Sequence, residues 1–388
     1  MARFTLPRDI YYGVNSLQTL KTIKGKKAII VTRDDSLKQK GFIKNCIDYL
    51  EEAGIETSLF EGIEPDPSVD TVNKGAAAML SFEPDWIIAI GGGATMDAAK
   101  AMWIFYEYPN ISITDIKDPF AIPELRTKAK FIAIPTTSGT ASEVSAFSII
   151  TDYDTKIRYP LTDYEITPDI AILDPALAQL MTPETAAYTG MDAFTHALEA
   201  YVAALSTPIT DTLALKAMQM INDNLVNSYK KDKKAREDMH IAQCMAGMAF
   251  SNALLGIVHS MSHKTSGVLN VHHGFANAIY LPYVIDYNKS VCGSKYAEVA
   301  NQLGLEGKTE DQLISSLKRR LNEINKSLNI PLNLKDLGVD EKFFFDNLDK
   351  IAENAESDAC TGANPRRTTN NEFKKLFTSI YYGNEVDY

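Results

Sequence analysis

Short apolar runs alternate with amphipathic stretches through the first half of the chain, and long stretches of helical spacing fill the second. Lys27-Ala-Ile-Ile-Val-Thr32 reads as a buried strand, followed by a turn and a helix through Ile43–Ala53. Ile55–Phe60 is a second strand, closed by Pro65-Asp66-Pro67. Val69–Ser81 has helical periodicity, and Trp86–Ile90 and Phe131–Ile134 are short apolar strands. Strands alternating with helices of this length build a parallel sheet covered on both faces. The pattern then changes. Thr182-Pro183-Glu184 is a helix start: a capping hydroxyl, proline at the first helical position and an acid in the first turn. From there Thr185–Leu205, Asp211–Asn224, Ala235–Leu255 and Gln312–Leu328 all have helical spacing. We therefore expect an α/β domain over 1–182 and an all-helical domain over 183–388. The stretch from Asp358 to Arg366 reads as a loop rich in turn formers before a last helix.

Composition narrows the function. The 388 residues suffice for two domains with their own cores, and 45% hydrophobic with 23% charged residues is ordinary for a globular protein. A net charge of −11 argues against a nucleic-acid surface, which needs a basic stripe. The lysine run Lys230–Lys234 sits between helical patterns and reads as a solvated turn. No run of 18 or more apolar residues exists, so no membrane span is expected. The start, Met1-Ala-Arg-Phe-Thr-Leu-Pro7, lacks the apolar core of a signal peptide. Cys46, Cys244, Cys292 and Cys360 are widely spaced with no CxxC pair, which fits a reducing cytoplasm better than a disulfide framework.

Two loops carry phosphate-friendly chemistry. Gly91-Gly92-Gly93-Ala94-Thr95-Met96-Asp97-Ala98-Ala99-Lys100 follows a strand and opens a helix. Glycines let a backbone approach a pyrophosphate, and free amides at a helix start favour the anion. The loop lacks the GxGxxG fingerprint, and a plain tight turn also accounts for it. A second strand runs into Pro135-Thr-Thr-Ser-Gly-Thr140, whose hydroxyls and glycine suit a phosphate or a nicotinamide. Two such loops at strand ends of one sheet point to a dinucleotide site.

Metal chemistry gathers in the second half. Four of six histidines, His259, His263, His272 and His273, fall between Gly256 and Asn277. His259 and His263 are four apart and share a helix face, while His273 follows a break that can fold back toward it. His196 lies four residues after Asp192. A carboxylate and several imidazoles are what a first-row divalent ion takes. Spacing alone does not choose between His259 and His263, and any one of these histidines taken singly reads equally as a core or surface residue.

Taken together, the glycine loop, Pro135-Thr-Thr-Ser-Gly-Thr-Ala-Ser-Glu143, Gly190-Met-Asp-Ala-Phe-Thr-His-Ala-Leu-Glu199, Gly256-Ile-Val-His-Ser-Met-Ser-His263 and His272-His-Gly-Phe-Ala-Asn277 resemble the iron-containing (group III) alcohol dehydrogenases. The likeness runs from the first strand to the Cys360-Thr-Gly-Ala-Asn-Pro-Arg366 tail. Within the family the look is that of the clostridial NADPH-dependent butanol dehydrogenases and of the alcohol-dehydrogenase half of the bifunctional aldehyde–alcohol dehydrogenases. The resemblance implies a Rossmann-like parallel α/β domain followed by an all-helical metal-binding domain, the dehydroquinate synthase-like/iron alcohol dehydrogenase fold, with the active site in the cleft between them. It implies metal ligands Asp192, His196, His259 and His273, with His263 as a proton relay on the substrate side and His272 facing away. It implies cofactor contacts from Arg33, Asp66, Gly91, Gly92, Gly93, Ala94, Asp97, Thr136, Thr137, Thr140 and Arg158. The metal implied is Fe²⁺, although the residue types also allow Zn²⁺.

Two positions depart from the family pattern. Ala94 stands where relatives usually carry serine, so backbone amides must hold the phosphate there. Arg158, in Lys156-Ile-Arg-Tyr-Pro160, stands where many have lysine. Cofactor choice turns on Arg33, just after the first strand, where the family commonly has aspartate in NAD users and glycine in NADP users. An arginine there favours NADPH, with NADH possible, while Asp34 and Asp35 beside it would pull the other way. Phe147, Phe250 and Cys360 suggest an apolar pocket wall, and a preference for butanal or butanol over polyols. Phe147 and Phe250 read equally as core residues, and Cys360 as an inert thiol.

The expected activity is reversible hydride transfer between NADP(H) and a short-chain primary alcohol or aldehyde, by a homodimer or higher homo-oligomer. Rival readings are a zinc-dependent, glycerol-dehydrogenase-like or dehydroquinate-synthase-like enzyme, a metal-dependent hydrolase or lyase without nucleotide, and a catalytically dead relative.

Overall fold

The computed structural model, which describes residues 3–33, 35–154 and 157–388, divides the chain into two compact units, Met1–Met181 and Thr182–Tyr388. The first is built on a six-stranded sheet. Its strands are β1 (Asp9–Tyr12), β2 (Lys27–Thr32), β3 (Glu56–Phe60), β4 (Trp86–Gly91), β5 (Lys130–Pro135) and β8 (Ile170–Leu173). They run parallel in the order β1-β8-β5-β4-β2-β3. A separate antiparallel hairpin joins β6 (Phe147–Asp152) to β7 (Ile157–Thr162). The helices of this unit are α1 (Asp35–Gln39), α2 (Phe42–Glu52), α3 (Val69–Phe82), α4 (Gly93–Glu107) and the short α5 (Pro175–Ala178).

The alternation of side chains along a strand explains why the central strands read as unbroken apolar runs. Ile29, Val31, Ile87, Ala89, Phe131 and Ala133 enter one core with Val72 and Met79 of α3 and Met96 and Trp103 of α4. Their neighbours Ala28, Ile30, Ile88, Ile90, Ile132 and Ile134 enter the other with Ile43, Cys46 and Leu50 of α2. Both faces are dry, so both phases of the strand must be apolar. The expected parallel α/β sheet is what forms.

The second unit is helical: α6 (Pro183–Val202), α7 (Pro208–Tyr229), α8 (Lys233–Ala253), α9 (Ile257–Val268), α10 (His273–Gln302), α11 (Glu310–Ser327), α12 (Glu341–Glu356) and α13 (Asn370–Tyr382). Thr182 caps α6, its hydroxyl accepting from the Thr185 amide at 3.0 Å, with Pro183 at the first position. Two helices stop short of their sequence pattern. α6 ends at Val202 because Ala203 turns extended, and Thr207 then caps α7. α8 ends at Ala253 because Leu254 adopts φ 65°, a strained setting for a branched residue that turns the chain into Gly256. α10 runs 30 residues through Pro282 and breaks at Cys292 (φ −129°, ψ 28°). Among the described residues no single helix is long and apolar enough to cross a membrane. All four cysteines are free thiols.

Candidate metal centre and nucleotide loop

In the second unit three helices bring four donors to one place. α6 presents Asp192 and His196 from successive turns, α9 presents His259, and α10 opens with His273. From Asp192 Oδ1 the distances are 3.9 Å to His196 Nε2, 3.6 Å to His259 Nε2 and 3.7 Å to His273 Nε2. Around a tetrahedral cation with bonds of about 2.1 Å, neighbouring donors stand roughly 3.4 Å apart. The donor types suit a first-row divalent ion, and the ligand atoms of Asp192, His196 and His259 all lie within 4.8 Å of one another, with His273 3.7 Å from Asp192. Asp192, His196 and His259 are all buried, and the His196 and His259 rings stack with centroids 4.5 Å apart.

Electrostatics fit the same role. Burial opposes ionisation of Asp192, yet His196, His259 and His273 hold its carboxyl far below the usual range. Burial would lower the His259 pKa, but Glu199 and Asp192 outweigh it and raise it to about 9. His273 is pushed well below the ordinary imidazole value, first by burial and then by the neighbouring rings, with Asp192 opposing.

Residues without a role in the sequence reading hold this centre in place. Glu199, on the α6 face that carries Asp192 and His196, meets His259 Nδ1 at 2.5 Å and accepts from the Val258 amide at 2.7 Å. A carboxylate on Nδ1 aims the Nε2 lone pair at the metal position, the usual support of a ligating imidazole. The i, i+4, i+7 spacing of Asp192, His196 and Glu199 was a visible signal for it. Asn277, one turn after His273, differs: its Nδ2 lies 2.7 Å from Asp192 Oδ1 and 3.2 Å from Nε2 of both His259 and His273, so the amide meets the same donor atoms an ion would take. Glycine permits two close approaches. A Cβ on Gly256 would stand 2.8 Å from Glu199 Oε1, and one on Gly274 would stand 2.5 Å from the Tyr188 carbonyl oxygen.

His263 sits one turn beyond His259, half-buried, with its ring 5.3 Å from that of His273. Its Nδ1 lies 3.2 Å from Asp358 Oδ2, which also takes Lys264 Nζ at 2.8 Å. Asp358 has no local spacing signal, since it lies 95 residues from His263. It caps the helical turn Ala359–Ala363 that carries Cys360. The tail is tied down by Thr361, whose hydroxyl donates to Ser260 Oγ at 2.8 Å, and by Asn364, which accepts from Asn288 Nδ2 at 3.0 Å. His272 is exposed: it caps α10 through Gly274 and packs on Tyr188 at 3.8 Å. Phe250 is buried and stacks on His196 at 4.4 Å. Phe147 belongs to the first unit, on β6, where its carbonyl accepts from Lys100 Nζ at 2.9 Å.

In the first unit, Gly92 stands at the N-cap of α4, which has no side-chain cap and no acid in its first turn. The added Cβ of Gly91 would stand 2.4 Å from Thr95 Oγ1, and that of Gly93 2.8 Å from Thr140 Cγ2. Thr137 side-chain atoms come within 3.5 Å of a Cβ built on Gly92, and the Thr136 amide donates to the Gly91 carbonyl at 2.9 Å. The glycine turn and the Thr136–Thr140 segment thus form one cradle of amides and hydroxyls, with Thr95 Oγ1 buried and without a partner among the described residues. Ala94 is half-buried in the first turn of α4. A pyrophosphate fits this chemistry.

Asp97 is engaged by the protein itself: its carboxylate accepts from Ser142 Oγ at 2.8 Å and from the Ile149 amide at 3.2 Å. Arg158, on β7, pairs with Asp66 at 3.3 Å, both well exposed. Arg33 is exposed just past β2. Asp34 lies outside the described residues, as does the side chain of Asp35.

Comparison with known proteins gives consistent matches across the chain. The model of the iron-containing alcohol dehydrogenases matches residues 7–175, and that of the Fe-containing alcohol dehydrogenase family, C-terminal, matches residues 186–381. The chain is 59% identical over 388 residues to the NADPH-dependent butanol dehydrogenase of Clostridium saccharobutylicum, covering 100% of both. It is 40% identical over 403 residues to the aldehyde-alcohol dehydrogenase of Streptococcus pneumoniae serotype 4, covering 97% of this chain and 46% of that protein, about half its length. Among solved structures, an iron-containing alcohol dehydrogenase from Thermococcus thioreducens superposes with a TM-score of 0.91 at 36% identity, covering 98% of this chain and 100% of the other. A 1,3-propanediol oxidoreductase superposes at 0.92 with 32% identity and the same coverage.

Proposed function

The chain belongs to the iron-containing alcohol dehydrogenase family, and from that premise we propose that it moves a hydride reversibly between NADP(H) and short-chain primary alcohols and aldehydes such as butanol and butanal, working chiefly as an aldehyde reductase. The observation that carries this reading is the convergence of three imidazoles on one carboxylate, with Nε2 of His196, His259 and His273 at 3.9, 3.6 and 3.7 Å from Asp192 Oδ1. These four would hold Fe²⁺, with Zn²⁺ admitted by the same donors. When bound, such an ion serves as a Lewis acid toward the substrate oxygen.

The chain's own groups do the rest. Glu199 holds His259 by Nδ1 and so keeps Nε2 turned inward. Asp358 accepts from His263 Nδ1, which leaves Nε2 of that ring to give a proton to the nascent alcohol or take one from it. Phe250 and Cys360 supply apolar surface beside these groups. The cradle of Gly91, Gly92, Gly93, Thr137 and Thr140 would receive the pyrophosphate, and Arg33 an adenine-side phosphate. In this reading Arg158 keeps Asp66 in place and Asp97 braces the loop. The 59% identical butanol dehydrogenase, NADPH-dependent by name, supports the cofactor and substrate assigned here.

We further read a homo-oligomer that pairs through β1, an outer strand of the sheet followed by exposed Val14 and carrying exposed Tyr11 and Tyr12. The free thiols fit the cytoplasm. The test is iron-reconstituted protein assayed anaerobically against an aldehyde panel with NADPH and NADH. An apolar wall gives about 1–3 kcal/mol per methylene, so kcat/KM should rise in steps from acetaldehyde to butanal. Higher values for lactaldehyde or glycerol than for butanal or butanol would overturn the substrate class. Failure to bind either nicotinamide would return a nucleotide-free metallo-hydrolase.

A further inference from the structure

A second group of metal-binding side chains lies beside the first. His263, Asp358 and Cys360 each offer one ligand atom, and these atoms lie within 4.8 Å of one another. His263 Nδ1 and Asp358 Oδ2 are already 3.2 Å apart, within the donor spacing of a small tetrahedral ion. His263 is the more open side of the group, its side chain 22% exposed against 9% for Asp358, and gives an ion its approach from solvent. The other three cysteines are buried and cannot compete. Asp358 is fixed by the backbone, since its Oδ1 accepts from the Cys360 amide at 3.0 Å, and this same turn swings the thiol toward His263. A cation is already attracted here: Lys264 Nζ stands 2.8 Å from Asp358 Oδ2 on a flexible side chain that can withdraw into water. The His263 ring stands 5.3 Å from that of His273 and 5.9 Å from that of His259.

We propose that His263, Asp358 and Cys360 form a second cation site, adjoining the first, that takes Zn²⁺ through one thiolate, one imidazole and one carboxylate with a fourth position left to water. The donor set differs from Asp192, His196, His259 and His273 in one decisive respect, the sulfur, which selects zinc and other soft ions over iron. Binding exchanges the thiol proton for the metal–sulfur bond, releasing H⁺ to solvent, and frees the Lys264 ammonium. An ion on Nδ1 shifts the ring proton to Nε2 and holds it there, so His263 can no longer accept a proton at Nε2 and turnover slows. That consequence rests on the proton-relay reading of His263; the site itself does not.

Cd²⁺ is the probe, because a cadmium–thiolate bond gives an ultraviolet charge-transfer band that imidazole and carboxylate do not. Iron-loaded protein titrated anaerobically with Cd²⁺ should develop this band with one equivalent per chain, keep its iron, and lose the band when Zn²⁺ is added. Cys360→Ser should abolish the band. His263→Ala and Asp358→Asn should each weaken Cd²⁺ binding at least tenfold, with unchanged iron content and circular dichroism reporting an intact fold. Zn²⁺ should slow turnover of the unaltered enzyme, and a chelator should restore it. No band in the unaltered protein would overturn the site. A band that survives Cys360→Ser would do the same, as would equal affinity in His263→Ala and Asp358→Asn, which marks a lone thiol. A band formed without slowing supports the site and instead removes His263 from proton transfer.

Discussion

In the second unit Asp192, His196 and His259 are 1–5% exposed, and each meets a further carboxylate, ring or amide that fixes its direction. In the first unit the loop from Gly91 to Thr95 works by what it omits: its glycines leave the space in which Thr95 and Thr140 pack, and no side chain caps α4. The candidate metal centre is thus built from charged groups with outer partners, and the proposed nucleotide cradle from bare backbone and small hydroxyls. Chemistry held by side chains should fail sharply when one is removed. Chemistry held by backbone should degrade by degrees.

The sharpest break in this comparison is within the centre. His259→Ala removes a buried donor and leaves Glu199 and Asp192 facing each other without an imidazole between them. Bound metal and turnover should vanish together. His263→Ala should keep most of the metal and lose about 10²–10⁴-fold in kcat, the usual worth of a positioned proton-transfer group. Metal analysis beside steady-state rates separates the two. Metal retained in His259→Ala and lost in His263→Ala would exchange their roles.

A smaller effect is expected at Arg33, an exposed side chain to which the proposed function assigns the choice between NADPH and NADH. A charge-assisted contact of about 1.5–3 kcal/mol corresponds to roughly ten- to hundredfold discrimination. The ratio of kcat/KM for NADPH to that for NADH should therefore exceed ten in the unaltered enzyme and collapse in Arg33→Asp. An unchanged ratio would mean that Arg33 is a solvated charge and that selection lies elsewhere along the adenine side.

The same contrast decides what was legible in the chain before its structure. Asp192 and His196, and His259 and His263, announce themselves because a helix repeats its face every three to four residues. The central strands announce themselves because both sheet faces are dry. The groups behind the ligands are another matter. Asp358 reaches His263 across 95 residues, and Glu199 reaches His259 across 60. Tertiary packing creates those pairings, and no local pattern carries them. β1 and β8, four residues each, and the partly exposed β7 are too short or too polar to stand out. α10 hides for a different reason: Pro282 and the break at Cys292 interrupt its pattern, so its 30 residues do not read as one element. Asp97 illustrates a limit of motif reading, since a residue can belong to a nucleotide motif while its carboxylate is spent on Ser142 and Ile149.

The smallest effect expected is at Gly93, and it tests the backbone half of the comparison directly. A Cβ there would stand 2.8 Å from Thr140 Cγ2 and 2.9 Å from Thr140 Oγ1. These atoms end a short side chain that can turn about its first torsion, so Gly93→Ala should fold, at an overpacking cost of about 1–3 kcal/mol. The metal centre keeps all its donors, so kcat should hold while the KM for NADPH rises by roughly tenfold or less. The Gly93→Ala, Thr140→Ala double variant removes the two closest contacts and leaves only the Thr140 Cβ at 3.0 Å, so it should recover most of the melting temperature. If the KM for NADPH in the double variant stays above that of Thr140→Ala alone after stability has recovered, the space between Gly93 and Thr140 belongs to the cofactor. A KM that returns fully with the melting temperature would make the glycine a packing residue, and the cradle would have to be sought along Gly91 and Gly92 alone.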